Sequence, residues 1–426
     1  MRQAFAVRGF KRLYAGLATS MLGDSLMLLV LSMWVKSLTG SNGAAGLTFL
    51  WLSLPALLAP AFGYVVDLVP RRPFLVVANL MSGLAVLPLL LVHGASDVWI
   101  IYAVAFFYGI SFVVVPAALN GLLKEMLPED ALVEANASLS VTREAFRLVG
   151  PIAGAGLFAL FGGGAMVAVL DAASFIVAAV TVLTLSVVEV REEHEPLHWR
   201  AEVVAGATHI RRTPVLLHST LALSICLLVL GFTESAIYAV VDAFDKPVTF
   251  VGPMVTVQGV GAILGGVFSS RLVKRLGEPW AVVAGMGALA LGLAGVAAST
   301  NIPELLIATA VLGSGIPVVI VAYNTLLQKQ TPGRLMGRVS TTTDVLTSTP
   351  QAISIATGAL LVTLLDYQVI FLLIAAGTVA AMVYLLATLR GRLGPVSGAA
   401  ELAAAAVPVP PVPSGVTEPV TERFPQ

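Results

Sequence analysis

Long apolar runs separated by short polar segments dominate the chain, and their lengths predict a series of membrane-spanning helices. An α-helix needs about 20 predominantly apolar residues to cross the hydrocarbon core of a bilayer. Twelve runs meet this requirement, at about residues 13–35, 44–66, 73–92, 98–123, 136–160, 165–188, 215–241, 250–273, 279–299, 303–327, 340–364 and 367–389. The pattern therefore predicts an all-α membrane protein with twelve transmembrane helices.

The basic residues lie almost entirely in alternate connections between these runs, which predicts the orientation of the helices. Of the 24 Lys and Arg residues, only Lys36 and Lys246 fall in connections on the opposite side. Lys and Arg are concentrated in the cytoplasmic loops of membrane proteins. We therefore expect a multi-pass protein with both termini in the cytoplasm.

Two segments interrupt the apolar pattern and divide the chain. Residues 189–213 form the only long polar connection, which predicts an N-terminal six-helix half at residues 1–188, a cytoplasmic linker at 189–213 and a C-terminal half at 214–392. The later part of the linker, residues 199–212, has the pattern of an amphipathic helix lying in the membrane interface. Residues 393–426 are rich in Ala, Pro and Val, which predicts a disordered cytoplasmic tail.

The two halves repeat each other in sequence. PAALNGLLKEMLP, which contains Asn120, aligns with IVAYNTLLQKQTP, which contains Asn324, at a shift of 204 residues (324 − 120). GYVVDLVPRR from Gly63 aligns with GVFSSRLVKR from Gly266 at a shift of 203 (266 − 63). Two alignments at nearly one shift indicate a parallel repeat and two pseudo-symmetric halves.

Composition agrees with a polytopic membrane protein and excludes several other classes. Hydrophobic residues make up 58% of the chain and charged residues 11%, and the mean hydropathy is +0.93. Soluble domains are about half apolar and a quarter charged. The formal net charge is zero, so no nucleic-acid partner is expected. Cys226 is the single cysteine, so no intramolecular disulfide can form.

Motifs for other chemistries are missing or weak, so we expect no enzyme activity, no cofactor and no metal. The sequence has no G-x-x-x-x-G-K-[ST] loop, which argues against ATP-driven transport. His194 and His198 are spaced i, i+4 beside Glu192 and Glu195. In a charged linker this spacing is interpreted as a solvated surface rather than a metal site.

A string of glycine, acid and paired bases lies between the second and third apolar runs. Gly63, Asp67, Arg71 and Arg72 form the pattern G-x-x-x-D-x-x-x-R-R. The string resembles the signature loop of the major facilitator superfamily of secondary transporters. The resemblance implies the major facilitator fold and a gating role for these residues, with contacts made in one state and broken in the other. Alternatively, the two arginines only determine topology.

The fifth run carries RLVGPIAGAG, with Gly150, Pro151 and Gly154. It resembles the antiporter motif of exporters in this superfamily, although Ala155 replaces the final glycine and Phe146 an upstream one. The glycines allow close helix packing, and the proline removes one backbone hydrogen bond. We therefore expect either a flexible kink or ordinary close packing of helices.

Ionisable groups at membrane depth are the candidates for coupling, because a charge stranded there costs about 2.5 to 3.5 kcal/mol or more. A carboxylate in such a place can take up a proton from one side and release it to the other. Asp24 in the first run and Glu234 in the seventh are the first candidates, because the resemblance implies that these spans line the central cavity. Alternatively, Asp24 pairs with Arg147 and only holds helices together.

Three further polar positions belong to the predicted cavity set. Asp344 lies near the start of the eleventh run, and the repeat-related Asn120 and Asn324 lie in the fourth and tenth. The asparagines serve either as cavity residues or as interhelical hydrogen-bond partners. Asp171 lies in LDAASF in the sixth run, which resembles a stretch of macrolide-efflux-like proteins, and there we expect a structural role.

The opening FKRLYAGLATSMLGDSL, the loop GYVVDLVPRR and LDAASF together resemble the macrolide-efflux-like drug exporters of bacteria. The resemblance implies a bacterial inner-membrane transporter for proton-coupled efflux in multidrug resistance. Its partners would be a small amphipathic substrate, protons and the lipid bilayer, and we expect a monomer. Two alternatives stay open: uptake or facilitated diffusion of a nutrient on the same fold, and a non-transporting membrane sensor.

Overall fold

The computed structural model describes residues 2–7, 9–185, 199–332 and 335–389, which form helices and short connections without any β-strand. The described residues between 2 and 389 belong to one compact unit. The tail predicted at residues 393–426 and the first part of the linker, with His194 and His198, lie outside the described residues.

The described residues from 2 to 185 form eight helices. They are α1 (Arg2–Ala6), α2 (Phe10–Thr39), α3 (Asn42–Ser53), α4 (Ala59–Asp67), α5 (Arg71–Val86), α6 (Val98–Met126), α7 (Glu129–Phe161) and α8 (Ala165–Leu183). Short 3-10 segments join α3 to α4, extend α5 and precede α6, at Leu54–Leu58, Leu87–Leu91 and Ala95–Asp97.

The described residues from 199 to 389 also form eight helices. They are α9 (Trp199–Arg212), α10 (Pro214–Leu230), α11 (Thr233–Ala243), α12 (Val251–Leu276), α13 (Glu278–Ala298), α14 (Ile302–Gln330), α15 (Met336–Leu361) and α16 (Tyr367–Leu389). Helix α9 lies at the residues where the linker is predicted to be amphipathic. It packs on α15, where Gly206 lies against the Arg338 carbonyl, and His209 Nε2 is 3.0 Å from the carbonyl oxygen of Gln330.

Ten helical segments within the described part of the chain are long and apolar enough to cross a membrane. The second span is absent from this set because it is split into α3, a 3-10 turn and α4, with Pro55 and Pro60 removing backbone donors. Helix α15 is long enough but is not apolar enough to belong to this set, because it carries nine Ser or Thr residues together with Asp344. With these two the bundle has twelve spans, and the predicted all-α fold of twelve helices is confirmed.

The seventh span is broken in a way that the apolar pattern does not predict. Helix α10 ends at Leu230, and α11 begins at Thr233 after Gly231 and Phe232. At Gly231 an added Cβ would lie 2.8 Å from the Gln351 carbonyl oxygen of α15. Glycine therefore permits the close approach of the two helices at the break.

Because successive spans alternate in direction, the connections lie at two ends of the bundle. We call them the Lys36 end, which contains the connections after α2, α7 and α11, and the Arg71 end, which contains those after α4, α6 and α12. The two halves contact each other towards the Lys36 end. Lys36 Nζ donates to Asp242 Oδ2 at 2.6 Å, and the hydroxyl groups of Ser32 and Tyr238 are hydrogen-bonded.

Small residues bring further helices of the two halves together near the same end. Gly46 of α3 lies directly against Ser235 of α11, and Gly252 of α12 lies against Pro151 and Ala155 of α7. A glycine lets two helix backbones approach because no side chain separates them. These contacts join the halves on the Lys36 side of the bundle.

Candidate functional site

A cavity of about 830 Å³ lies between the two halves. Such a volume is in the range of pockets that hold drug-sized ligands, about 300–1,000 Å³. Most residues along its wall are apolar, and both halves contribute to it. The polar residues of the wall are Ser25, Ser53, Glu144, Arg147, Thr233, Glu234, Gln258, Thr309, Ser348 and Gln351.

The break in the seventh span positions Glu234 in the wall of this cavity. Glu234 is the second residue of α11, after Gly231, Phe232 and Thr233. Turn hydrogen bonds bridge the break, because the N–H groups of Phe232 and Glu234 donate to the carbonyls of Val229 and Gly231. The break therefore places Glu234 at the start of α11, in the cavity wall.

Arg147 lies in the same cavity wall, on α7 of the other half. Its guanidinium group attracts the Glu234 carboxylate electrostatically. Tyr238, one turn beyond Glu234, is hydrogen-bonded to Ser32 of α2. The cavity therefore contains an acid and a base contributed by opposite halves, next to a hydrogen bond that also joins the halves.

The predicted kink in the fifth span lies where α7 packs on α2. An added Cβ at Gly150 would overlap the Ser25 side chain, and one at Gly154 would lie 2.6 Å from the Leu26 carbonyl oxygen. Ser25 Oγ donates to the Phe146 carbonyl at 2.5 Å. Pro151 lies inside α7 and lines the cavity. The two glycines therefore permit close packing at this point.

Asp24 lies beside the cavity rather than in its wall. Its neighbour Ser25 lines the cavity, whereas Asp24 is half-buried and accepts a hydrogen bond from Tyr108 Oη at 2.7 Å. Asp171 of α8 faces the same tyrosine and is fully buried. The positive charge acting on Asp24 is Arg143 rather than Arg147, which faces Glu234.

The remaining predicted cavity residues lie apart from this wall. Asp344, Asn120 and Asn324 are exposed on α15, α6 and α14 and are not among the residues that line the cavity. Sequence reasoning missed Gln258 and Gln351, which do line it. The only signal for Gln258 was one amide side chain in the otherwise apolar run TVQGVGAILGG.

The signature string lies at the Arg71 end. Gly63 and Asp67 belong to α4, and the Asp67 side chain is outside the described part of the structure. Arg72 is the second residue of α5 and donates from Nη2 to the Leu183 carbonyl at 2.6 Å, which caps the C-terminus of α8. The Arg71 side chain lies over Gly121 of α6.

A family model described as Major Facilitator Superfamily matches residues 13–341 and 223–421. The chain is 25% identical over 379 residues to an uncharacterized MFS-type transporter, YfiS, of Bacillus subtilis (strain 168), covering 86% of this chain and 89% of the relative. It is 22% identical over 369 residues to macrolide efflux protein A of Streptococcus pyogenes, covering 82% of this chain and 88% of that protein.

Two solved structures share the fold. A crystal structure of the nucleoside transporter NupG has a TM-score of 0.71 at 14% identity and covers 92% of this chain and 100% of its own. An inward-facing structure of a bacterial homologue of the iron transporter ferroportin has a TM-score of 0.68 at 18% identity. The match covers 89% of this chain and 98% of that homologue. At such identities the likeness concerns the fold alone.

Proposed function

Because the chain belongs to the Major Facilitator Superfamily, we propose that it couples the efflux of amphipathic small molecules to the proton gradient by alternating access. It is a multi-pass membrane transporter and not an enzyme. The proposed cargo, direction and coupling ion go beyond what family membership supplies. The observation that carries the proposal is the cavity between the halves, with Glu234 and Arg147 in its wall.

The chemistry of the cavity wall supports an amphipathic substrate. Most of the wall is apolar, so it favours a lipophilic body, while the amide and hydroxyl groups of Gln258, Gln351 and Thr309 can orient polar substituents. One similar protein is described as a macrolide efflux protein. Macrolides combine an apolar ring with hydroxyl and amine groups, and we therefore propose them as the first class of substrate to test.

The distribution of contacts between the halves supports alternating access. The halves touch at the Lys36 end, through Lys36 with Asp242 and Ser32 with Tyr238. The basic residues favour a cytoplasmic location for the opposite end. On this orientation the structure represents a state closed to the outside, and rocking of the halves would open these contacts.

Proton coupling is proposed to act through the attraction between Glu234 and Arg147. When Glu234 takes up a proton, its O–H bond forms at the carboxylate and the attraction to Arg147 is lost. The two halves are then less strongly held together at this point, because the attraction acts between α11 and α7. A state-dependent interaction of this kind shifts the balance between two conformations.

The proposal is tested by drug transport in proteoliposomes with an imposed pH gradient. Erythromycin uptake into inverted vesicles is measured for the native chain, for Glu234→Gln and for Asp366→Asn. The second variant removes an acid in the loop between α15 and α16, outside the cavity wall. We expect gradient-driven transport in the native chain and in Asp366→Asn, with a loss of at least about tenfold in Glu234→Gln.

Three outcomes would contradict the proposal. Transport of the drug in the native chain without any response to the pH gradient would remove proton coupling. Accumulation in the opposite direction would favour uptake. No transport of any of several amphipathic drugs, in protein that is folded and correctly inserted, would remove the proposed substrate class.

A further inference from the structure

We propose that Asp24 and Asp171 together form a proton-binding site inside the N-terminal half, joined by Tyr108 and separate from the Glu234 site. Asp171 thereby has a role beyond the structural one that the sequence predicts. The place of this proton-binding site in the transport cycle rests on the proton coupling proposed above. The binding of a proton at the pair does not depend on that coupling.

Three spans bring the site together. Asp24 is on α2, Tyr108 on α6 and Asp171 on α8, and the Tyr108 hydroxyl donates to Asp24 Oδ1 at 2.7 Å. The same hydroxyl group also acts electrostatically on the Asp171 carboxylate, although the described structure shows a direct hydrogen bond from it to Asp24 alone. Gly23 makes the approach possible, because an added Cβ there would overlap the Asp171 carboxylate. The two acids are therefore held close to each other by helix packing.

Asp171 is an unusual group to find in this position. Its side chain is 0% exposed, and Oδ2 has no hydrogen-bond donor among the described residues. Among the described residues the other oxygen, Oδ1, has a long hydrogen bond of 3.4 Å from Ser174 Oγ, whose hydroxyl group is 2.7 Å from the Asp171 backbone carbonyl oxygen. A buried carboxylate without donors is costly, and binding a proton removes the charge. The unsatisfied oxygen thus indicates a bound proton.

The charges around the pair favour one shared proton. Arg143 on α7 attracts Asp24, whereas no cation among the described residues acts on Asp171. Helix α3, which also packs on α2, contains no titratable residue. One positive charge can balance one carboxylate, and the second carboxylate is neutralised when the pair takes up a proton.

Other charged groups on the surrounding helices lie far from the pair along the helix axes. Lys36 is twelve residues beyond Asp24 on α2, or roughly 18 Å of helix. Lys124 is sixteen residues beyond Tyr108 on α6, or roughly 24 Å. Arg71 and Arg72 begin α5 at the Arg71 end. Asp97, Glu125 and Glu134 likewise lie near the ends of α6 and α7. Two neighbours on α7, Glu144 and Arg147, line the cavity instead.

Asp24 is the member of the pair that a proton from water reaches first. It is half-buried next to Ser25, which lines the cavity, although Asp24 itself is not one of the lining residues, whereas Asp171 is enclosed. Water at the exposed part of Asp24 can therefore protonate it, and Tyr108 connects that carboxyl group to Asp171. When the cavity faces the other side, the O–H bond breaks and the proton returns to water.

The two acids are expected to respond differently to neutralisation, which distinguishes a proton site from a packing role. In Asp171→Asn, the remaining Asp24 has Arg143 and no second acid beside it, so the proton is held less tightly. In Asp24→Asn, the remaining Asp171 is enclosed and has no cation, so the proton is not released. A purely structural pair would show neither change.

The experiment is an infrared titration of the purified protein without drug, following the C=O stretching band of protonated carboxyl groups. We expect a band that titrates in the native chain, that titrates at a pH lower by about one unit in Asp171→Asn, and that persists throughout the titration in Asp24→Asn. Asp366→Asn, whose acid lies in a loop, is the control and keeps the native titration. Glu234→Gln removes the cavity acid and identifies any band that belongs to it.

A further variant keeps the test decisive if Asp171→Asn does not fold. Tyr108→Phe retains the ring and removes only the hydroxyl group that stabilises ionised Asp24, so its band should titrate at higher pH than the native band. Identical titrations in the native chain, Asp171→Asn and Tyr108→Phe would overturn the inference. Because no drug is present, that result would leave the proposed efflux intact, and a failure of efflux would leave the titration intact.

Discussion

Two acidic sites at membrane depth differ in what surrounds them. Glu234 lies in the wall of the central cavity and is attracted by Arg147 of the opposite half. Asp24 lies beside that cavity, and its partner Tyr108 and the buried Asp171 belong to the same half. Movement of the halves must therefore change the partners of Glu234, while it leaves the partners of Asp24 in place.

The difference separates two tasks that a coupled transporter has to perform. A pair that spans the halves can bias their relative position, because it exists in only one arrangement. A pair within one half keeps its geometry and can change only its access to water. On this account Glu234 and Arg147 report the conformation, while Asp24 and Asp171 store the proton.

The largest effect is expected from breaking the pair that spans the halves. Arg147→Gln leaves the Glu234 carboxylate in the cavity without its cation, and gradient-free drug exchange should fall about tenfold or more. The double variant with Glu234→Gln removes both charges and should recover most of the exchange, because no uncompensated charge remains. A double-mutant cycle in proteoliposomes should give a coupling energy of about 0.5–3 kcal/mol. Additive losses would contradict direct coupling of these two residues.

A smaller effect, on stability, is expected within the N-terminal half. Gly150→Ala places a methyl group against Ser25 where α7 packs on α2, and overpacking of this kind costs about 1–3 kcal/mol. Gly156→Ala on the same helix meets open space and is the matched control. Melting can be followed with a thiol-reactive dye, because the single cysteine, Cys226, is buried. Equal melting temperatures for the two variants would contradict the close packing of α7 on α2.

A smaller effect again is expected from the hydrogen bond between Ser32 and Tyr238, which links the halves. Tyr238→Phe should favour opening at the Lys36 end by about 0.5–1.5 kcal/mol, the usual net contribution of such a bond. Tyr102→Phe is the control, because Tyr102 Oη donates to the Ala44 carbonyl inside one half. Opening is measured as the labelling rate of Ser53→Cys, a cavity position, by an impermeant maleimide applied from outside. Faster labelling in the control than in Tyr238→Phe would contradict the assignment.

The smallest effect is expected from the ion pair between Lys36 and Asp242. Because Asp242 is 47% exposed, solvent screens the pair, and Lys36→Met should favour opening by no more than about 1 kcal/mol. Lys329→Met removes a comparable pair, with Glu278, inside the C-terminal half. The same labelling assay should respond to the first variant alone, and to a lesser degree at high salt. A response to both variants would show that the assay follows stability rather than opening.

Much of the fold could be predicted from the sequence, because hydropathy and the distribution of Lys and Arg follow directly from the bilayer. The exceptions have local causes. Pro55 and Pro60 break the second span. Gly231 lies at the break between α10 and α11, where it packs closely against α15. The position of such breaks depends on which helix packs alongside, and hydropathy carries no information about that.

The candidate site was less predictable, because side-chain direction matters as much as depth. Asp24 and Ser25 are adjacent, but each residue of an α-helix is rotated by about 100° from the last. Ser25 consequently lines the cavity, while Asp24 points towards Tyr108. The partners of Asp24 come from the fourth and sixth spans, and a single sequence does not reveal which spans are in contact.

Proton-driven alternating access requires the two halves to move around the cavity in response to protons. Spin labels at Ser37→Cys and Lys246→Cys, across the Lys36 end, and at Lys124→Cys and Leu276→Cys, across the Arg71 end, report both sides in a Cys226→Ala background. Pulsed electron spin resonance distances should lengthen at the Lys36 end and shorten at the Arg71 end when the pH is lowered. Distances that stay constant over the pH range, or that change in the same direction at both ends, would contradict proton-driven alternating access.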